Sequence, residues 1–130
     1  MIVVDASAFL ELLLQSATGA KVADLLAAEP AAAPHLLDAE VFHRVITFGK
    51  QHVLNVDEVA GLIDRLRDAP ITRVDHRLLL ATAGAMGMAL SGYDALYAAL
   101  AVELGATLVT GDAGLAATAA FQFGITVAPL

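Results

Sequence analysis

The chain has 130 residues, enough for one domain over residues 1–130 that buries a core without covalent staples. It contains no cysteine, which excludes a disulfide framework and any thiolate metal site. Its formal net charge is −7 with only 7 lysines and arginines, so nucleic-acid affinity built on a basic surface is excluded. Such a partner remains compatible only if bound divalent ions offset clustered acids.

Met1-Ile2-Val3-Val4 is an apolar run that suits a central parallel strand, and it meets a charge at Asp5. With no basic stretch before it, this start does not read as a signal peptide, and a cytoplasmic protein is expected. The pattern next predicts helices over residues 7–15 and 19–28, a minimal strand at 32–34, and helices over 36–51 and 56–67, the last capped by Asn55. Ile71 to Val74 reads as a strand, and Asp75 as the cap of a helix reaching Met86. A loop over 87–92 leads into a helix from Tyr93 to Leu104, ended by Gly105. A strand at 107–110, a helix at 112–119 and a last strand at 125–127 complete the alternation of a parallel α/β sheet. Hydrophobic residues make up 58% of the chain, but the long uncharged stretch from Ala113 to Leu130 is broken by Gly114, Gln122, Gly124 and Pro129. A membrane span needs about 20 continuous apolar residues, so the apolar surplus points to helices covering both sheet faces and to a homodimer interface.

Asp5 follows the first strand directly, and Asp112 follows Leu108-Val109-Thr110 after one glycine. Sites in open α/β sheets form beyond the carboxyl ends of strands, so both carboxylates are expected in one crevice. Asp94 begins a helix that is otherwise uncharged until Glu103, and a carboxylate entering a buried helix must be capped, paired or metal-bound. Glu40 borders the apolar stripe Leu37, Val41, Val45 and Phe48, whereas Asp38 is expected to project away into solvent. Each acid also has a structural reading. Asp5, Asp94 and Asp112 stand where aspartate caps helices, with Ser91 to Asp94 matching a capping box. Glu40 is spaced to pair with Arg44.

His35, His43, His52 and His76 have no metal-binding spacing. Tyr93 and Tyr97 read as core or dimer packing. Most of the arginines read as solvated surface, with Arg44, Lys50, Arg65, Arg67, Arg73, Arg77 and Lys21 the only cations available for phosphate. Clustered carboxylates repel one another and stay ionised only with cations between them. Oxygen ligands of this kind suit magnesium, which takes one or two carboxylates and keeps several waters.

Val3-Val4-Asp5-Ala6-Ser7 resembles the opening motif of PIN-domain ribonucleases, particularly toxins of the VapC type. His35-Leu36-Leu37-Asp38-Ala39-Glu40-Val41 is similar to that family's second motif, Tyr93-Asp94-Ala95-Leu96-Tyr97-Ala98-Ala99-Leu100-Ala101 to its third, and Leu108-Val109-Thr110-Gly111-Asp112 to its fourth. The order and spacing match over essentially the whole chain. After Asp112, Ala113 and Gly114 stand where many relatives carry basic residues.

The resemblance implies a three-layer α/β/α fold around a mostly parallel sheet of about five strands. It implies catalytic and metal-binding Asp5, Glu40, Asp94 and Asp112, with Ser7 and Thr110 in support, and a Mg2+ or Mn2+ cofactor. It implies endonuclease action on RNA and inhibition by a cognate antitoxin. Two rival readings are a magnesium-binding receiver-like signalling module and a catalytically silent PIN-fold partner. The first lacks its usual lysine, since none follows Lys50. The second leaves four filled acidic positions without a purpose.

Overall fold

A computed structural model describes residues 1–130. Its elements alternate in the expected order. Strand β1 (Ile2–Val4) leads to helices α1 (Ala6–Leu13) and α2 (Ala17–Ala28). Strand β2 (Ala31–Pro34) leads to α3 (Leu36–Lys50) and α4 (Val56–Asp68). Strand β3 (Ile71–Val74) leads to α5 (Leu80–Met86) and α6 (Gly92–Leu104), and β4 (Thr107–Val109) to α7 (Ala113–Phe123). The sheet order is β3-β2-β1-β4, and every pairing is parallel.

Two expectations are corrected. The sheet has four strands rather than about five. Residues 125–127 supply only a parallel bridge from Val127 to Leu108, with the Leu108 N–H donating to Thr126 and the Ala128 N–H to Leu108. Pro129 follows, and proline cannot donate to a ladder. The helix expected after Asp75 is split into a 3-10 turn (His76–Leu78) and the short α5. The Asp75 carboxylate still caps it, accepting the Arg77 N–H at 2.8 Å.

The strand order places the site. The chain runs outward from β1 to β2 and β3, then returns across β1 to lay down β4. Right-handed crossovers put α1–α4 on one face and α5–α7 on the other. Between β1 and β4 the connections therefore part to opposite faces, leaving a crevice at the carboxyl ends of these two strands. β1 is fully buried, and α6, packed on β1, β2 and β4, is buried at Ala95 and from Tyr97 to Ala101. One core of 33 buried residues runs from Ile2 to Ala128. Burying a side chain of Val, Leu, Ile or Phe stabilises by about 1.5–3 kcal/mol, which is the term that holds the site's walls together. No helix is long and apolar enough to cross a membrane.

Candidate active site

Asp5 leaves β1 with its N–H donated to the Val109 carbonyl of β4 at 3.0 Å, so the first and fourth strands hold it jointly. The residue is only 4% exposed. Its Oδ1 accepts from the Ser7 hydroxyl at 2.7 Å and from the Ala8 N–H at 2.9 Å, and its Oδ2 accepts from the Thr110 hydroxyl. Asp5 thus is the cap of α1, and Ser7 and Thr110 fix its orientation. The two hydroxyls lie 3.3 Å apart. They also bind the loop after β4, since Ser7 Oγ accepts the Gly111 N–H at 2.9 Å and Thr110 Oγ1 the Asp112 N–H at 3.0 Å. Asp112, exposed, caps α7 through the Leu115 N–H at 3.0 Å.

Asp94 lies in the first turn of α6, where Ser91 is the cap and accepts the Asp94 N–H at 3.2 Å. The Asp94 carboxylate is half-buried, and the Ser91 hydroxyl of the same turn is its polar neighbour. Glu40, on α3, accepts from the Tyr97 hydroxyl at 2.8 Å. It does not pair with Arg44, whose guanidinium stands 5.3 Å from the Phe48 ring centre.

The electrostatics tie these acids together. Burial raises the Asp5 carboxyl above its ordinary value of 3.8; its three hydrogen bonds oppose the rise, and the Asp94 charge adds to it. Burial also raises Glu40, with Tyr97 opposing and the charges of Asp5 and Asp94 adding. Asp94 is raised by burial and then by Asp112, with the Ser91 hydroxyl opposing. Like-charge coupling links Asp5, Glu40 and Asp94, and Asp112 joins them through Asp94 alone.

No three aspartate, glutamate or histidine side chains are gathered tightly enough to hold a metal ion by protein ligands alone. Magnesium is bound through one or two carboxylates and keeps several waters, and the donor set here is entirely oxygen.

Other expectations need revision. Tyr97 packs in the core as expected, at 2% exposure, and its hydroxyl also bonds Glu40, whereas Tyr93 is 62% exposed. The signal was available: Tyr97 follows Asp94 by three positions, hence on the same helical face, and a buried phenol needs a partner. Asp38 is not simply solvated, because Arg73 donates to it at 2.9 Å. Arg73 also donates to the carbonyls of Leu66, Ala69 and Ile71, so it is a structural clamp and not a surface cation. His76 Nε2 accepts the Leu36 N–H at 2.8 Å and so caps α3, the helix that carries Glu40.

Beside the acids opens a cleft of about 490 Å3, walled by α1, α3 and the start of α6, with Ser7, Glu40, Arg44 and Tyr93 on its lining.

Residues 2–120 match the PIN domain family. Ribonuclease VapC9 of Mycobacterium tuberculosis is 36% identical over 129 residues, covering 99% of this chain and 99% of the relative. The chain belongs to the VapC ribonucleases of the PIN-domain family. Among solved structures, PAE2754 from Pyrobaculum aerophilum superposes with a TM-score of 0.65 at 24% identity, covering 97% of this chain and 82% of that one. VapBC2 from Rickettsia felis, bound to a DNA fragment from its promoter, superposes with a TM-score of 0.63 at 17% identity, with 98% of each chain covered. At those identities the two structures establish the PIN fold, a three-layer α/β/α sandwich. The acidic crevice of this VapC-family chain lies at the carboxyl edge of its parallel sheet.

Proposed function

We propose that this protein is the toxin of a toxin–antitoxin pair, a single PIN domain that cuts RNA with Mg2+ or Mn2+ held by Asp5, Glu40, Asp94 and Asp112. The observation that carries the reading is the junction at the β1–β4 switch point, where Ser7 and Thr110 tie Asp5 to the loop bearing Asp112, with Asp94 and Glu40 close enough to Asp5 to repel it. Acids that raise one another's affinity for protons also raise it for divalent cations.

Within this reading each residue has a distinct task. Asp5, locked by Ser7, Ala8 and Thr110, is the rigid ligand. Tyr97 fixes Glu40 so that its second carboxylate oxygen points to one place. Asp94, half-buried and raised by burial and by the Asp112 charge against the opposing Ser91 hydroxyl, is the carboxylate best suited to take the proton of the attacking water. Asp112, at the open rim, completes the negative wall. A bound divalent ion supplies an acidified water and charge neutralisation at the phosphate. The chain's own part is to hold the phosphodiester beside Asp94 and to keep Asp5 and Glu40 ionised and still.

A cognate antitoxin is the proposed protein partner, in keeping with the VapBC2 fold relative. A second copy of the chain is the proposed partner for its surplus of exposed apolar side chains, among them Val56, Met88 and Phe121.

The test is incubation of purified protein with total RNA under magnesium, under manganese and with a chelator. Discrete fragments that require the ion support the reading. Intact RNA under both ions, from a folded protein that also fails to arrest growth on expression, removes it.

A further inference from the structure

We propose that the cleft flanking the acids is a nucleotide subsite for single-stranded RNA, in which Tyr93 stacks on an unpaired base and Arg44 holds the adjoining phosphate. The inference rests on the ribonuclease reading above and adds two positioning residues to it.

The argument begins with a census of cations. Arg67 is paired with Asp64 and Asp68, Arg73 with Asp38, and Arg77 with Asp75. Lys21 donates to the Leu130 carbonyl, and Arg65 points to that of Leu13. Among these cations only Arg44 and Lys50 make no ion pair or hydrogen bond; Arg44 rests over the exposed edge of α3 against the Phe48 ring, and Lys50 lies at the far end of α3. Arg44 sits one helical turn beyond Glu40 and lines the same cleft as Glu40 and Ser7. In a chain of net charge −7, Arg44 is the one arginine beside the acidic crevice whose charge no carboxylate neutralises, and so the one suited to a second phosphate.

Across the cleft stands Tyr93, the residue before Asp94. It is 62% exposed and makes no hydrogen bond. Leu36 and Ala39 supply apolar floor between the two. An exposed ring, an apolar floor and a cation are what an unpaired nucleotide needs, because every base has a face to stack and every linkage has a charge. A base held in a duplex cannot offer that face.

The experiment uses the full chain carrying Asp94→Asn, so that RNA is bound without turnover, with a short fluorescein-labelled single-stranded RNA in magnesium. Fluorescence anisotropy gives affinity for this parent and for Tyr93→Ala, Tyr93→Phe and Arg44→Ala made in it. Both positions are exposed, so the variants fold. Tyr93→Ala is expected to bind about tenfold more weakly and Tyr93→Phe nearly as well as the parent. Arg44→Ala is expected to lower the log–log salt slope by about 0.7. The chain has no tryptophan and two tyrosines, of which Tyr97 is buried. RNA should therefore quench tyrosine emission, and Tyr93→Phe should abolish the quenching while binding persists. With active protein, Tyr93→Ala should raise KM more than it lowers kcat.

Unchanged affinity, quenching and KM in these variants, alongside intact cleavage by the unmutated chain, overturn the subsite and leave the ribonuclease reading standing. The same result with a weakened antitoxin complex assigns the cleft to a protein instead and also overturns the proposal. Failure of the unmutated chain to cut or bind any RNA removes both readings together.

Discussion

The Tyr97 hydroxyl donates to Glu40 Oε1 at 2.8 Å across 57 residues of sequence, joining α6 on one face of the sheet to α3 on the other. The bond passes over the carboxyl edge of β1, where Asp5 sits, and so bridges the layers at the site itself. Burial and the neighbouring Glu40 carboxylate push the phenol far above its ordinary value of 10.0, so it stays a donor at any working pH.

Tyr97→Phe keeps the ring and removes only that donor. The expected cost is about 1–2 kcal/mol of stability, read by urea denaturation, since a hydrogen bond to a charged group is lost. Calorimetric titration with magnesium should also show weaker binding, because Glu40 is no longer held. Unaltered ion affinity would separate Tyr97 from the metal site and leave it a packing residue.

Asp94→Asn should move activity and stability in opposite directions. Cleavage of RNA is expected to be lost, as the proposed proton acceptor is gone. In chelator, the same change relieves repulsion from Asp112, Asp5 and Glu40 and should stabilise the fold by about 0.5–2 kcal/mol. A variant that loses both activity and stability would mean that Asp94 serves the fold.

The raised carboxyls set a pH dependence. The folded chain keeps protons on Asp5, Glu40 and Asp94 that the unfolded chain sheds near the ordinary values of 3.8 and 4.5. Where the folded state binds more protons, stability falls as pH rises. In chelator, the melting temperature should therefore drop as pH climbs from about 4 through the raised values, and magnesium should restore it more at neutral than at acid pH. Asp75 acts in the other direction: Arg77 lowers it to about 2, so its contribution is lost only as pH falls from 3.8 towards that value. Melting curves with and without magnesium across this range check both signs.

Arg73→Lys tests the clamp beneath α3. The guanidinium is 15% exposed and binds Asp38 together with the carbonyls of Leu66, Ala69 and Ile71. Lysine cannot fill that fork. A loss of about 2–3 kcal/mol in denaturant unfolding is expected, with ion affinity intact. A near-neutral result would show that the carbonyls are satisfied equally well by water.

The order of strands and helices was legible in the amino-acid sequence, because apolar runs and helical periodicity are local properties. So were Asp5 and Asp112, since each follows its strand by a residue or two and parallel strands aim their carboxyl ends alike. Asp94 was legible as a lone charge on an apolar helix. Boundaries at caps such as Asn55 and Gly105 followed from local chemistry too.

Only the tertiary structure decided the rest. Whether residues 125–127 complete a fifth strand depends on what lies beside β4, and there they make a single bridge. Asp38 and Arg73 find each other across 35 residues, His76 caps a helix 40 residues earlier, and Tyr97 meets Glu40 across the sheet. Arg44 turns from the nearest carboxylate to an aromatic ring. Such pairings are set by which surfaces the packed layers bring together. Nothing in the spacing of residues along the chain encodes that, because it is the sheet order that makes distant positions neighbours.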